Sequence, residues 1–438
     1  MCLVGDQARE QIEIDSDLFI SNRERLKKLL PGNSLALVNA NDIFPTNADG
    51  TMGVPNSDLF YLAGVAQEEC ILLLAPDAFD EKNREILFLR ESTPHLAIWE
   101  GHKLTKEQAR TISGIKNIQW LSEFSSVFHA LICEAEQVFL NTNEHQRAAA
   151  EVETRDTRFI RQCQQRYPLH QYRRLAPLLH QLRAVKSATE IALIKNACDL
   201  TNKGFRRALS FTKPGVNETE IEAEFACEFI RNRGCFAYPP IIASGANNCI
   251  LHYNQNDQQC KKGELILLDV AAGLGNYMSD MTRAIPASGR FTRRQRQVYN
   301  AVLRIFRQML KNIAPGKTTR DLRRECDELA TKECVDLGLL KMSQVRKQAP
   351  DNLAVKKYFM HGVSHPIGLD VHDVTYNHFP IQPGWVVTCE PAIYIQEEGF
   401  GIRLENTVAI TENGVVDLMS DIPIEADEIE SLMNPIKR

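Results

Sequence analysis

The tightest constraint on how this chain can fold is a repeat in its second half. Ser187 with Glu190 forms an S-x-x-E capping signal that opens a helix running to about residue 210. Pro214-Gly215 breaks the chain, and Asn217 with Glu220 opens a second helix that stops at Gly234. Strand-like sequence follows. About a hundred residues later the order returns. Thr292 with Gln295 caps a helix, Pro315-Gly316 breaks it, Thr318 with Asp321 opens the next, and strands follow again. The two breaks align as PGVNETEI (214–221) and PGKTTRDL (315–322). A unit of two capped helices and strands, written twice, predicts an internally duplicated domain. Capped helix pairs are common, so what the two halves carry matters more than the caps themselves.

Each half carries an acidic hairpin. ELILLDVAAGLGNYMSDMTRAI (264–285) reads as two strands joined near Gly275-Asn276, with Asp269 and Asp280 eleven residues apart. A two-residue turn there sets Asp269 opposite Thr282 and Asp280 opposite Ala271. The aspartates are then diagonal neighbours on one face, with backbones roughly 7–8 Å apart. An odd loop would separate them. WVVTCEPAIYIQEEGFGIRLENTVAI (385–410) repeats the device around 397–401, with Glu390 and Glu405 fifteen residues apart. Pro391 biases Glu390 towards extended backbone. A single acid at the end of an apolar strand is usually a turn or cap residue. Four acids flanked by Val, Ile and Leu are different, because a buried carboxylate is costly unless it is paired or binds a metal. Two divalent cations would cancel four negative charges, whereas only Arg283 and Arg403 lie close by in sequence.

Histidines supply a further ligand type. Of 11 in the chain, His361, His365, His372 and His378 fall within 18 residues, and His252 precedes the first hairpin. In MHGVSHPIGLDVHD (360–373) the H-x3-H spacing would suggest zinc on a helix. Gly362, Pro366 and Gly368 argue against a helix, and Pro366 pushes His365 towards extended structure. One imidazole beside four carboxylates makes a hard, oxygen-rich site. That favours Mn²⁺, Co²⁺ or Fe²⁺ over a thiolate zinc site, with Zn²⁺ still open.

The rest of the chain sets the frame. At 438 residues, two or three domains are expected. With 44% hydrophobic and 24% charged residues, disordered and fibrous chains are excluded. A net charge of -5 gives no case for nucleic acid. No apolar run reaches bilayer length, and an N-terminus with Asp6 and Glu10 lacks the features of a signal peptide, so a cytoplasmic location is expected. Twelve scattered cysteines without a C-x-x-C pair read as reduced thiols. In the first 180 or so residues, LALVNA (35–40), CILLLAP (70–76) and EILFLRE (85–91) read as strands between helices, an α/β pattern. The Arg-rich stretch 155–183, with His170 and His180, reads as a solvated helical connection, or alternatively as a contact with another subunit.

These residues, in this order, resemble the pita-bread metallopeptidases, a family that includes aminopeptidase P, prolidase and methionine aminopeptidase. The matching stretches are ILHY (250–253), LLDVAA (267–272), MSDMTR (278–283), MHGVSHPIGLDVHD, TCEPAIY (388–394) and GIRLEN (401–406), and the likeness covers 186–438. NSDLFYLAG (56–64) and AIWEGHKL (97–104) look like the N-terminal domain of aminopeptidase P, which methionine aminopeptidase lacks. The resemblance implies an α/β N-terminal domain over 1–180. An α+β pita-bread (creatinase/aminopeptidase) catalytic domain with internal pseudo-two-fold duplication would follow over 181–438. It implies two divalent ions per subunit, Mn²⁺ first and Co²⁺, Zn²⁺ or Fe²⁺ after it. Asp269 and Asp280 would bind one, His365 and Glu390 the other, and Asp280 and Glu405 would bridge. It further implies hydrolysis of the Xaa-Pro bond in proline-containing peptides, in a homodimer or homotetramer.

On that reading Glu390 shuttles a proton, His361 stabilises the oxyanion, and His252 and His372 hold substrate. Arg403 and Tyr394 line the site, and Trp99 matches an aromatic that a neighbouring subunit can contribute. Prolidase shares these motifs, and Arg403 could then hold a substrate carboxylate. A non-catalytic binding protein on the same scaffold is disfavoured because all five ligands are kept. Two stretches depart from the family pattern. TCEPA has Cys389 and Ala392 where Val or Ile and Gly are commoner, and GIRLEN has Asn406 where Asp is usual. Cys389 alternates with Glu390 along the strand and so points away from the site.

Overall fold

All four helix starts that the sequence predicts in the duplicated half form as capping boxes, and these fix the frame on which the strands hang. The computed structural model describes residues 13–47, 51–148, 151–376 and 378–434. The reading of Asp6 and Glu10 lies outside them. The boxes at Ser187, Asn217, Thr292 and Thr318 open helices Ala188–Phe211, Glu218–Arg231, Arg293–Asn312 and Thr319–Asp336. Each cap satisfies backbone donors that a helix end would otherwise leave bare.

The chain divides into two compact units, Cys2–Arg183 and Ala184–Arg438. The first is built on a mixed six-stranded sheet. Ser34–Asn39, Ile71–Leu74 and Glu85–Leu89 are consecutive antiparallel neighbours in it. Asn117–Trp120, Gln137–Leu140 and Gln171–Arg174 add in parallel at the two sides. Leu35, Leu37, Leu73, Ile86 and Phe88 pack against Phe128, Leu131 and Ile132 of helix Phe124–Glu134.

The Arg-rich stretch corrects the sequence reading. It is not only helical. After helix Arg155–Arg166, in which Cys163 alone is buried, Gln171–Arg174 forms an edge strand of the sheet. Its exposed arginines suit an edge, where charge discourages pairing with another chain.

In the second unit each half contributes a three-stranded antiparallel sheet. The first holds Ile241–Ser244, Leu265–Asp269 and Thr282–Pro286; the second holds Val386–Cys389, Asn406–Thr411 and Gly414–Asp417. The first hairpin turns on Gly275 and Asn276, with φ of 59° and 65°. Two positive φ angles are what a two-residue I′ turn requires. Asp269 accordingly faces Thr282. Beyond the aspartates the hairpin bends away, and Ala272–Leu274 and Tyr277–Met278 join Cys235–Phe236 in a separate sheet without a change of register.

Among the described residues ten cysteines, the buried Cys389 among them, are free thiols. Among the described residues no helix is long and apolar enough to cross a membrane.

Packing between the first two helices generates a prediction whose sign is informative. Gly204 lies within Ala188–Phe211, where alanine would ordinarily stabilise by about 1 kcal/mol. A Cβ at Gly204 would meet Phe225 and Phe229 ring atoms at 2.8 Å each. Overpacking of that kind costs about 1–3 kcal/mol. Gly204→Ala should therefore lower the Tm of the full chain, and a raised Tm would show that the rings give way.

Candidate metal centre

Both hairpins are interrupted at their acids. Asp269 ends its strand, and Val270 N–H donates to the Met281 carbonyl at 3.1 Å, which keeps the register through the gap. Asp269 and Asp280 thereby become the diagonal pair that the turn predicted. In the second hairpin, Cys389 pairs with Asn406 and Ala392 with Arg403, so Glu390 and Glu405 stand directly opposite each other between them. The two hairpins meet edge to edge. Glu405 N–H donates to the Thr282 carbonyl at 3.1 Å, and the Thr282 hydroxyl donates to Glu405 Oε2 at 2.6 Å.

His365 enters on extended backbone, as Pro366 and the neighbouring glycines predicted. Its carbonyl accepts from Thr388 N–H at 2.9 Å, and Glu390 N–H donates to Val363 at 2.9 Å. Its Nε2 lies 3.4 Å from Asp280 Oδ2 and 3.6 Å from Glu390 Oε1. Ligand atoms of Asp280, His365 and Glu405 all lie within 4.8 Å of one another, a set able to hold a metal ion. Asp269 and Glu390 flank that set. Asp269 is tied to it through Tyr238, whose hydroxyl lies 2.6 Å from Asp269 Oδ1 and 2.7 Å from Asp280 Oδ1.

Electrostatics test whether cations fit. Burial, then the charge of Asp269, pushes the Asp280 carboxyl up to about 8. Burial, then Glu405, pushes Glu390 up to about 8. Burial, then Asp280 and Asp269, holds Glu405 well above the carboxylate range. Among the described residues one arginine faces these acids: Arg403, which hydrogen-bonds Asp269 Oδ2. Acids that resist ionisation because they are buried beside one another, with one imidazole between them, are the donor set a hard divalent cation takes.

The other expected site residues fall into four places. His361, Tyr394 and Arg403 form one chain beside the acids. His361 Nδ1 is 2.6 Å from the Gly362 carbonyl and Nε2 is 3.0 Å from the Tyr394 hydroxyl. Since a carbonyl only accepts, Nδ1 carries the proton and Nε2 accepts from Tyr394. Burial, then the Arg403 charge, lowers His361 to about 3, so the ring is neutral. Arg403 Nη1 donates to the Tyr394 hydroxyl at 2.7 Å and its Nε to Thr282 Oγ1 at 2.9 Å. The His372 ring packs edge-on against His365, with centroids 4.3 Å apart. His252 is exposed. Trp99 belongs to the N-terminal unit, 72% exposed on helix Pro94–Glu100. His378 is exposed beside Tyr376 and Phe379.

Four partners escaped the sequence reading. Thr388 Oγ1 accepts from His365 N–H at 3.1 Å and donates to Glu390 at 3.3 Å. Thr407 Oγ1 holds the Asp280 backbone at both N–H and carbonyl, 3.0 and 3.1 Å away. Thr282 and Tyr238 are the others. The threonines had a signal, since each stands two residues from an acid and so on the same strand face. Tyr238 had none. Its hydroxyl is held well above its usual range by burial, then by Asp269 and Asp280, and so stays a donor.

Known proteins resemble this chain over most of its length. Residues 192–412 match metallopeptidase family M24, and residues 19–139 match the aminopeptidase P N-terminal domain. The Xaa-Pro aminopeptidase of Escherichia coli (strain K12) is 31% identical, covering 96% of this chain and 98% of its own. The mitochondrial intermediate cleaving peptidase 55 of Arabidopsis thaliana is 30% identical, covering 95% and 82%. Among solved structures, Pseudomonas aeruginosa aminopeptidase PepP superposes with a TM-score of 0.86 at 29% identity, covering 97% of this chain and 99% of its own. Zn-substituted Escherichia coli aminopeptidase P in complex with product gives 0.85 at 30% identity, covering 96% and 99%. The chain belongs to metallopeptidase family M24, with the pita-bread fold and an aminopeptidase P N-terminal domain.

Proposed function

We propose that this chain is a metal-dependent Xaa-Pro aminopeptidase that removes the N-terminal residue preceding proline. The observation that carries the reading is the convergent set of buried Asp280, half-buried His365 and buried Glu405, with Asp269 and Glu390 at its sides. Full-length relatives bearing the name Xaa-Pro aminopeptidase support it. We assign Asp269 and Asp280 to one divalent ion and His365 and Glu390 to a second, with Asp280 and Glu405 reaching both. Mn²⁺ stands ahead of Co²⁺, Zn²⁺ and Fe²⁺.

Such ions supply Lewis-acid polarisation of the scissile carbonyl and acidify a water. The chain's own groups do the rest. Proline has no N–H, so an enzyme that grips an extended backbone fails at this bond, and the leaving nitrogen needs a proton. Glu390, half-buried and 3.5 Å from His361 Nδ1, would carry that proton. His361 reaches a developing oxyanion only after exchanging one of its two present partners. His252 and His372 hold the peptide, and the free α-amine sits near Asp269.

Prolidase needs a cation for the substrate carboxylate. The Arg403 guanidinium is 5% exposed and already engaged by Thr282, Tyr394 and Asp269, which favours the aminopeptidase reading. We extend the proposal to a 1–180 N-terminal domain and a 181–438 catalytic domain, in a cytoplasmic homodimer or homotetramer. Trp99 of one copy would face the site of another, a role its exposure suits.

A peptide panel tests the reaction directly. Xaa-Pro-Yaa tripeptides and longer peptides, assayed with Mn²⁺, Co²⁺ or Zn²⁺, should lose their first residue, while cleavage of Xaa-Pro dipeptides alone would move the assignment to prolidase. Metal analysis tests the ligands. Glu405→Ala should abolish tight metal retention, and a Glu405→Ala protein holding two ions at full activity would refute the assignment.

Stability against pH provides a third measurement. Asp280 and Glu390, both raised to about 8, prefer their protons in the folded chain, whereas the unfolded carboxyls titrate near 4. Metal-stripped protein should therefore lose stability as pH rises from about 4 through 8, while cation-loaded protein should not. Equal Tm profiles for the two forms would count against cation binding at these acids.

A further inference from the structure

The Arg283 side chain is fully buried, yet its hydrogen bonds end on uncharged oxygens. Nε donates to the Pro423 carbonyl at 2.8 Å, and Nη1 to the carbonyls of Thr282 at 2.9 Å and Glu405 at 2.7 Å. Nη2 donates to Asn406 Oδ1 at 2.7 Å. Asn406, itself 2% exposed, donates from Nδ2 to Asp417 Oδ2 at 2.7 Å. The other Asp417 oxygen accepts from Met419 N–H at 2.9 Å. The amide orientation has no alternative, because only its oxygen can face a guanidinium and only its NH₂ can face a carboxylate. An anion thus sits one amide away from a buried cation.

We propose that Arg283 is a positioning residue of the metal centre and that Asp417, acting through Asn406, supplies its counter-charge; the first part rests on the metal-centre reading above. Thr282 and Glu405 belong to different halves of the duplication, and Arg283 Nη1 grips a carbonyl of each. These two residues also share the hydrogen bond from Thr282 Oγ1 to Glu405 and the backbone bond from Glu405 N–H. Arg283 therefore sets where the Glu405 carboxylate stands relative to Asp280. A planar fork can hold several carbonyls at once, which an ammonium cannot do with the same geometry. A buried charge without compensation is strongly destabilising. The Asn406 dipole, polarised between cation and anion, carries the compensation across the gap.

The test uses the full chain, metal-stripped and reloaded with Mn²⁺, in four forms: unaltered, Asp417→Asn, Asn406→Asp, and both together. Asp417→Asn removes the anion. Asn406→Asp sets two carboxylates side by side. The double variant moves the single anion next to the guanidinium. Each single change should lower the Tm of the stripped protein by roughly 5 °C, and the double should recover most of the loss. In competition with a chelator, well below any Tm, each single should hold Mn²⁺ about tenfold more weakly, again with recovery in the double. A double variant no more stable than the worse single overturns the relay. Singles that melt earlier but retain Mn²⁺ at the unaltered level overturn the positioning role and leave Arg283 a strut. An unaltered protein that holds no Mn²⁺ overturns the metal-centre reading, and the positioning role with it, while the Tm comparison still decides the relay.

Discussion

Mutual repulsion among four carboxylates packed between apolar strands is the constraint on which the catalytic unit depends. Nothing in a hydrophobic core favours placing Asp280 where burial and then Asp269 raise its affinity for a proton, or Glu405 where burial and then Asp280 and Asp269 do the same. The fold tolerates it because each acid is pinned by its backbone. Asp269 and Asp280 are fixed by a two-residue turn and an unbroken register, and Glu390 and Glu405 by direct opposition between paired strands. With the backbones held, the side chains cannot relax apart. The remaining means of lowering the energy are protonation or a bound cation. A site built this way is preorganised, because the strain of assembling its charges is met during folding and not when metal arrives.

Hairpins suit this task better than helices would. Strand side chains alternate, so a residue two places from an acid shares its face. Thr282, Thr388 and Thr407 occupy such places, and all three are fully buried. Each hydroxyl both donates and accepts. Thr282 thus links Arg403 to Glu405, and Thr388 links the His365 backbone to Glu390. Thr407 fastens the Asp280 backbone to the opposite hairpin. The duplication supplies two such hairpins, and the bond from Glu405 N–H to the Thr282 carbonyl joins them into one site.

What could be read from the sequence was whatever local rules decide. Helix starts were legible because a cap and its partner lie three residues apart. The pairing of the acids was legible because hairpin parity depends only on spacing and turn length. His365 was legible as extended because proline acts on its immediate neighbour. Tyr238 was not, since it lies 31 residues from Asp269 and 42 from Asp280 and no periodicity connects them. The edge strand Gln171–Arg174 was hidden for another reason. Its sequence, QYRR, reflects exposure at a sheet edge and lacks the apolar run that marked the central strands. The protonation pattern of His361 was equally out of reach, because the carbonyl of Gly362 and the hydroxyl of Tyr394 decide it.

Arg283 and Arg403 show how one residue type serves two ends in the same core. Both are buried, and each stands two or three residues from an acid of the site. Arg403 turns its charge towards the acids, against Asp269, and partly offsets their repulsion. Arg283 turns away from them and spends its donors on backbone carbonyls, so its charge must be answered from elsewhere. Had Arg283 also faced the acids, the four carboxylates would have been half neutralised by protein alone, and their demand for cations would have weakened. Directing one arginine inward and the other onto the backbone keeps the site electronegative while holding its two halves together. The separation of those two tasks, more than the number of acids, is what lets a neutral-looking composition enclose a site able to hold metal.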